Sequence, residues 1–281
     1  MRQLLGLLGI ICAAFSAGAT SGARAESSVL PALEALTEEQ QKEAVEFVLG
    51  NAIFVLFHEG GHMLASEFQL PVLGKEEDAV DSLSTLVLLE AGSDELDQAI
   101  SDAADGWFLS DEAMSPEAEY AFWDEHSVDP QRAYAIVCMM VGQDVERFRE
   151  FAEASDFPAD REDKCKYDYE KTKASWDSVL APHAAEEGAV SNVDIIYDEV
   201  THPDLEPYAE WLKEADVLGI LKVALADPYN LTDGITFRAT TCGQVNAFWH
   251  PGTREVTFCY ELAEFHAGLI AKYLAENESR L

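Results

Sequence analysis

The chain has 281 residues and a formal net charge of −35 at pH 7, because 53 Asp and Glu residues outnumber 18 Lys and Arg residues. So acidic a surface repels nucleic acid and anionic lipid, which argues against a nucleic-acid-binding protein and against stable association with a membrane. A chain of this length can bury a large core as one domain.

The N-terminus has the pattern of an export signal. Arg2 supplies a positive charge, residues 4–17 are apolar and uncharged, and residues 23–25 form an A-x-A cleavage pattern. The apolar stretch, which contains Cys12, is too short to span a membrane comfortably. We therefore predict a signal peptide at residues 1–25 and a single domain at residues 26–281, exported to the periplasm or the extracellular space.

Three helices are predicted in the first third of the mature chain. Thr37 begins a capping-box sequence that opens the first of them. Gly50-Asn51 is expected to interrupt this helix, and a second, strongly apolar helix follows over residues 52–68. The segment 70–74 is a break, after which residues 76–91 form a third helix with acids in its first turn, where the helix dipole favours them.

The remaining chain is also predicted to be mostly helical. The helical segments are residues 95–182 in several pieces, with one helix starting near Gln131, then Tyr208–Ala226, and the end of the chain from Glu261. Residues 183–207 are loop-like. Residues 245–259 predict the one strand pair, because alternating residues flank a His-Pro-Gly-Thr turn, as in a hairpin. The expected fold class is α+β, mostly α, with a small β-hairpin or sheet.

Residues 58–62 read His-Glu-Gly-Gly-His, an H-E-x-x-H motif inside the second predicted helix. Positions four apart lie on one helix face, so His58 and His62 can bind one zinc ion from the same side. Glu59 can then reach a zinc-activated water and act as the general base for peptide hydrolysis. A polar turn on a surface helix is the alternative, but the apolar run before the motif indicates burial, where unpartnered His and Glu are unfavourable.

A catalytic zinc needs a third protein ligand and an open fourth position. Glu77 and Asp81, at the start of the third helix, form an E-x-x-x-D pair on one face. We predict that Glu77 is the ligand and that Asp81 accepts a hydrogen bond from a ligand histidine, which fixes the histidine tautomer. Glu76 and Asp78 compete for the ligand role, and an acidic first turn with no role in metal binding is the alternative.

The H-E-x-x-H and E-x-x-x-D motifs together resemble the gluzincins, such as the thermolysin-like peptidases. The chain is more closely similar to a bacterial family, a domain of unknown function, whose metallopeptidase activity is inferred from the same motif. The resemblance rests on residues 54–62, 70–81, 124–132 and 242–262. It implies a zincin-like fold with one zinc per chain between the second and third predicted helices. Gly60 departs from the apolar residue usual at that position, which is expected to weaken the packing behind the helix.

A second resemblance concerns the predicted hairpin. Asn246-Ala247-Phe248-Trp249 is similar to the edge strand that pairs with substrate in thermolysin-like peptidases. There the strand precedes H-E-x-x-H, whereas here it follows, which implies a different order of connections between the core elements. The likeness implies that Asn246 and Ala247 bind the substrate. A plain core hairpin is the alternative.

Peptide hydrolysis also needs a hydrogen-bond donor for the oxyanion. His126 is the candidate catalytic residue for this role, because the neighbouring acidic residues would keep it oriented and partly protonated. Arg132 and Tyr134 are the next candidates. The alternative is a helix-capping or surface histidine.

Four cysteines follow the signal peptide. An even number in an exported protein favours disulfides, and the lack of a C-x-x-C sequence argues against a thiolate metal site. Three connectivities are open. We predict Cys242–Cys259, because the two lie roughly opposite across the hairpin, and Cys138–Cys165, because the two join neighbouring helical segments.

These residues predict an exported zinc metallopeptidase that acts on peptide or protein substrates. One alternative is a zinc-binding protein, or a binding module, that retains the motif without hydrolysing peptides. Glu59 argues against this alternative, since a structural zinc site has no use for a base. A third hypothesis is a metal-dependent hydrolase of non-peptide amides.

Overall fold

The computed structural model describes residues 29–115 and 117–277, so the predicted signal peptide and its cleavage site lie outside the described residues. The fold is α+β and mostly α, as the sequence predicts. The helices are α1 (Val29–Glu34), α2 (Glu38–Phe68), α3 (Glu76–Ala91), α4 (Asp94–Glu112), α5 (Asp129–Gln143), α6 (Arg149–Ala154), α7 (Glu162–Leu180), α8 (Glu206–Glu214), α9 (Val217–Leu221) and α10 (Tyr260–Glu276). The strands are β1 (Val193–Tyr197), β2 (Ile235–Thr240), β3 (Ala247–His250) and β4 (Glu255–Cys259).

The longest of these helices, α2, carries the H-E-x-x-H motif. Its predicted start is confirmed, because the Gln40 N–H donates to the Thr37 hydroxyl and the Thr37 N–H donates to the Gln40 side chain. The predicted interruption at Gly50-Asn51 is wrong, since α2 continues through both residues. Instead, α4 packs closely against α2 at these two residues. A Cβ at Gly50 would lie 2.6 Å from Oδ2 of Asp102, and the Asn51 amide donates to the Asp102 carbonyl.

α2 is the central helix of the described chain, and α3, α4 and α10 pack against it. It is long and apolar enough to cross a membrane, but its most apolar window is 78% buried inside the protein. The helix therefore contributes its apolar surface to the core, and the H-E-x-x-H motif on it is held by packing from several sides.

The middle of the chain is helical, as predicted, from α4 to α7. α5 begins at Asp129, slightly before the expected Gln131, and Pro130 occupies its first turn, where a missing N–H needs no partner. Cys138 of α5 and Cys165 of α7 form the predicted disulfide. This bridge ties together two helices that pack against each other.

The four strands form a mixed sheet in the order β1-β2-β4-β3. β3 and β4 pair antiparallel and form the predicted hairpin, whereas β1 pairs with β2, and β2 with β4, in parallel. β1 and β2 are not predicted from the sequence, and the loop prediction for residues 183–207 is wrong where β1 lies. Parallel strands are joined by long crossovers rather than by tight turns, so no turn signal marks them in the sequence.

The predicted single helix Tyr208–Ala226 is also wrong. α8 ends at Glu214, and Asp216 has a φ of +49°, in the left-handed region, before α9 begins. The chain then continues into a π-helical turn, Lys222–Ala226. Helical periodicity averages over several residues, so it does not reveal one residue with a positive φ.

The hairpin is fixed against the C-terminal half of α2, which packs against both β3 and β4. The Arg254 guanidinium, in the hairpin turn, donates to the two carboxylate oxygens of Glu67 at 2.8 and 2.6 Å. The predicted disulfide Cys242–Cys259 joins the segment before β3 to the end of β4. With the first bridge, it indicates an oxidising, exported environment.

Candidate metal centre

The two histidines of the motif lie one turn apart on α2 and face the same direction. Nε2 of His58 is 3.2 Å from Nε2 of His62. Behind them the helix backbone is tightly packed, because a Cβ at Gly60 would lie 2.8 Å from Cδ1 of Leu225. A Cβ at Gly61 would likewise lie 2.9 Å from Cβ of Val80 in α3. The expected weakening at Gly60 is therefore wrong, since the missing side chain is what lets the neighbouring segment approach.

Glu77, in the first turn of α3, points its carboxylate at both imidazoles. Its Oε2 lies 3.0 Å from Nε2 of His58 and 3.3 Å from Nε2 of His62. Burial alone would raise the pKa of Glu77, but hydrogen bonds with the histidine rings hold that pKa well below its ordinary value. The ligand atoms of these three residues lie within 4.8 Å of one another, so the group can hold a metal ion.

On the buried side of this group, Asp81 and Arg132 lie behind His58. Oδ1 of Asp81 is 2.7 Å from Nδ1 of His58. Arg132 donates to both Asp81 oxygens, from Nε at 2.7 Å and from Nη2 at 2.8 Å. The guanidinium lies over the Trp107 ring, 3.6 Å from its centre. Burial would raise the pKa of Asp81, but the Arg132 charge and the two hydrogen-bonded partners hold it at about 2.

On the open side, Glu76 is the partner of His62. Oε1 of Glu76 lies 2.8 Å from Nδ1 of His62, and half of the Glu76 side chain is exposed. Burial would lower the pKa of His62, but hydrogen bonds with Glu77 and Glu76 raise it to about 9. Glu76 therefore contacts Nδ1 of His62, the nitrogen that faces away from the metal group, which is formed by the ligand atoms of His58, His62 and Glu77. Asp78, the other competitor for the ligand role, is exposed.

Glu59 joins the motif to the hairpin. Its Oε2 accepts a hydrogen bond from the backbone N–H of Trp249 at 2.7 Å, across a separation of 190 residues. Burial raises the pKa of the Glu59 carboxyl, although the two histidines of the motif act in the opposite direction. The structure thus places β3, with Ala247 buried and Asn246 exposed just before it, against Glu59 of the H-E-x-x-H motif.

His126 lies at the mouth of the site, on the segment that precedes α5. Its Nε2 is 3.0 Å from Oε2 of Glu77, and its Nδ1 is 3.1 Å from Oδ1 of Asp124. The hydrogen bond with Glu77 raises the pKa of His126. The Lys75 ammonium donates to the His126 carbonyl, which ties this segment to the start of α3. His126 does not belong to the group of ligand atoms that lie within 4.8 Å of one another in the described chain.

The other two candidates for oxyanion donor already donate to groups of the protein. Arg132 uses Nε and Nη2 on Asp81, and only 9% of its side chain is exposed. Tyr134 donates to the Ser155 carbonyl and packs against Phe108. Both donors are therefore engaged within the protein.

Three features of this site are not predicted from the sequence: the ring of Trp107 against Arg132, the contact of Glu76 with His62, and the hydrogen bond from the Trp249 N–H to Glu59. The proximity of Glu76 to the site can be predicted from the sequence, because Glu76 precedes the predicted ligand Glu77 in the same helical turn. The other two depend on how distant helices and strands pack, and no local pattern encodes them.

A family model described as "Putative metallopeptidase" matches residues 27–180 and 197–280. The matched segments contain the H-E-x-x-H motif, the carboxylates of α3, His126 and the whole hairpin. No curated protein and no solved structure shows a significant match.

Proposed function

Since the chain belongs to this metallopeptidase family, we propose that it is an exported, zinc-dependent peptidase whose metal is held by His58, His62 and Glu77. One observation carries the proposal: two imidazole nitrogens from one helix and a carboxylate oxygen from the next converge on one point. Glu59, the general base, lies between the two histidines in sequence and is itself held by the hairpin.

The donor set and its spacing fit zinc. Ligand atoms about 2.0–2.1 Å from a tetrahedral zinc ion lie about 3.3 Å from one another. The three separations within the group are 3.2, 3.0 and 3.3 Å. Two imidazoles and one carboxylate are also a ligand set of catalytic zinc sites, and each imidazole here has a carboxylate on its second nitrogen, as such ligands require.

When bound, zinc would lower the pKa of a water molecule and polarise the substrate carbonyl. Glu59 accepts the proton of the attacking water and later gives it to the leaving amine. The raised pKa of the buried carboxyl suits this role, because the group must return the proton as well as take it. The Trp249 N–H donates a hydrogen bond to Oε2 of Glu59 and so fixes the orientation of the carboxylate.

His126 is proposed as the donor to the oxyanion. Its Nε2 contacts the same Glu77 oxygen as the two ligand histidines, but His126 does not belong to the metal group. This position suits a residue that contacts the substrate rather than the metal. Its raised pKa favours the protonated, donating form. Replacing it with Ala should lower kcat and leave the zinc content unchanged.

The outer edge of β3 is proposed to hold the peptide substrate. β3 is the last strand of the sheet, and the Trp249 N–H points away from β4 towards Glu59. Ala247, two positions earlier, presents its backbone groups to the same edge. An extended peptide pairing there lies beside the metal. The exposed Asn246 amide would add a contact to the substrate backbone.

Asn246→Ala tests the role of the strand. We expect a lower kcat/KM for peptides with unchanged zinc content, because the amide contacts substrate and not the metal group. Equal loss of zinc and activity would mean that the strand only supports the fold.

Metal analysis of the mature protein, paired with cleavage of a peptide library, tests the function as a whole. We expect about one zinc per chain, cleavage that stops on chelation, and cleavage that returns when zinc is added. Asp78→Ala is the matched control for the α3 carboxylates, because it removes an exposed acid from the same turn. Bound zinc without cleavage of any peptide would instead support a binding module or a hydrolase of other amides.

A further inference from the structure

Arg132 lies behind the metal group, and we infer that it is a positioning residue: it holds Asp81 against His58 and thereby sets the affinity of the site for the metal. The inference rests on the metal site proposed above. It concerns a residue that touches neither the ligand atoms nor the substrate, and it assigns Arg132 a different role from that of an oxyanion donor.

The geometry at Asp81 is that of a two-pronged ion pair. Nε and Nη2 of Arg132 each reach a different carboxylate oxygen, at 2.7 and 2.8 Å. A guanidinium fork and a carboxylate are both planar, so two parallel hydrogen bonds fix the orientation of the carboxylate as well as its position. With both oxygens held, Asp81 cannot rotate away from His58.

The carboxylate so held determines which nitrogen of His58 is available. Oδ1 of Asp81 lies 2.7 Å from Nδ1 of His58, and a carboxylate can only accept a hydrogen bond. In the neutral ring that binds a metal, the proton therefore lies on Nδ1, and the lone pair of Nε2 is available to the metal ion. Contacts of this kind fix ring orientation and raise the basicity of a ligand histidine.

Arg132 is itself held by packing. The face of its guanidinium lies 3.6 Å from the centre of the Trp107 ring, and only 9% of the side chain is exposed. Trp107 is in α4, Asp81 in α3 and Arg132 in the first turn of α5. The orientation of one ligand on α2 thus depends on the junction of three other helices.

A double-mutant cycle on the full mature protein tests this role, with zinc affinity measured by competition against a chromophoric chelator. We expect Arg132→Met to weaken zinc binding about 10-fold, at the lower end of the effect of outer contacts on a metal site. Arg132→Lys should recover part of that loss, because it keeps the charge but not the fork. The absorption spectrum of the cobalt-substituted Arg132→Met protein should also differ from that of the wild type, because His58 is no longer fixed.

The cycle separates positioning from general support of the fold. If Arg132 acts through Asp81, the double variant Arg132→Met/Asp81→Ala should bind zinc no more weakly than Asp81→Ala alone. Arg238→Met is the control, because the Arg238 guanidinium also pairs with a carboxylate outside the metal group, donating from Nη1 to both oxygens of Asp198 at 2.9 and 2.7 Å. It should leave zinc affinity and the cobalt spectrum unchanged.

Wild-type zinc affinity in Arg132→Met, or losses that multiply in the double variant, would overturn the inference. If Arg132→Met does not fold, the same cycle is carried out with Arg132→Lys, with the same two outcomes. Failure of the unaltered protein to bind zinc would instead reject the metal site itself, so the two failures are distinguishable.

Discussion

The two histidines of the motif differ in what stands behind them. The partner of His58 is the buried Asp81, and Arg132 donates a hydrogen bond to each of the two Asp81 carboxylate oxygens. His62 has Glu76, half of whose side chain is exposed. One side of the metal group is thus fixed by packing, and the other faces solvent, Lys75 and the segment that carries His126.

This difference separates two requirements of a catalytic metal site. The buried side must keep a ligand in one orientation, and a charged network shielded from water does so because its hydrogen bonds are strong there. The open side must admit the metal and the substrate. Glu59, although buried, is held by the Trp249 N–H of β3, the strand proposed to bind the peptide.

Removing a ligand should have the largest effect. His58→Ala, His62→Ala and Glu77→Ala should each lose zinc almost completely, because three protein ligands are the minimum for a catalytic site. Metal analysis after dialysis checks this. Normal zinc content in Glu77→Ala, together with its loss in Glu76→Ala or Asp78→Ala, would reassign the third ligand.

Removing the partner of each histidine should weaken zinc binding to a different extent. Asp81→Ala should weaken zinc binding on the order of 10–100-fold, the usual range for such contacts. Glu76→Ala should weaken it less, because Glu76 is half exposed and water can replace it. Chelator competition on the two variants measures both. Equal losses would show that the buried and open sides contribute alike and would end the distinction.

A separate effect concerns the stability of the metal-free protein and its dependence on pH. The pKa of His62 is raised from 6.5 to about 9 in the folded chain, so the folded state binds more protons between these values than the unfolded state. The stabilisation is complete below pH 6.5 and is lost as the pH rises through about 9. With zinc bound, the ring is already neutral and the dependence should vanish.

Urea unfolding with and without a chelator tests this prediction. The metal-free protein should become less stable from pH 6.5 to pH 9, whereas the zinc-loaded protein should not follow that decline. A metal-free protein whose stability increases over this interval would contradict the environment described for His62.

The sequence predicts those parts of the site that depend on local spacing. His58 and His62 are four positions apart, as are Glu77 and Asp81, so helical geometry alone puts each pair on one face. Capping chemistry likewise predicts where α2 begins. The Cys242–Cys259 pairing followed from the hairpin, because a tight turn brings the two strands together.

The rest depends on contacts between distant elements. The interruption at Gly50-Asn51 was predicted because local propensity disfavours glycine in a helix, but α4 packs there and overrides it. Trp107 beneath Arg132 and the Trp249 N–H on Glu59 arise from tertiary packing, for which the chain carries no short-range pattern. Fold class was therefore easier to predict than the buried side of the site.

The central claim is that Glu59 is the base of a zinc peptidase, and the most direct measurement is made on Glu59→Gln. Zinc content and peptide cleavage are measured on the same preparation, beside the wild type. The account predicts full zinc content with hydrolysis nearly abolished, because the amide fills the same space but cannot accept a proton. A variant that keeps its zinc and most of its peptide turnover would contradict it.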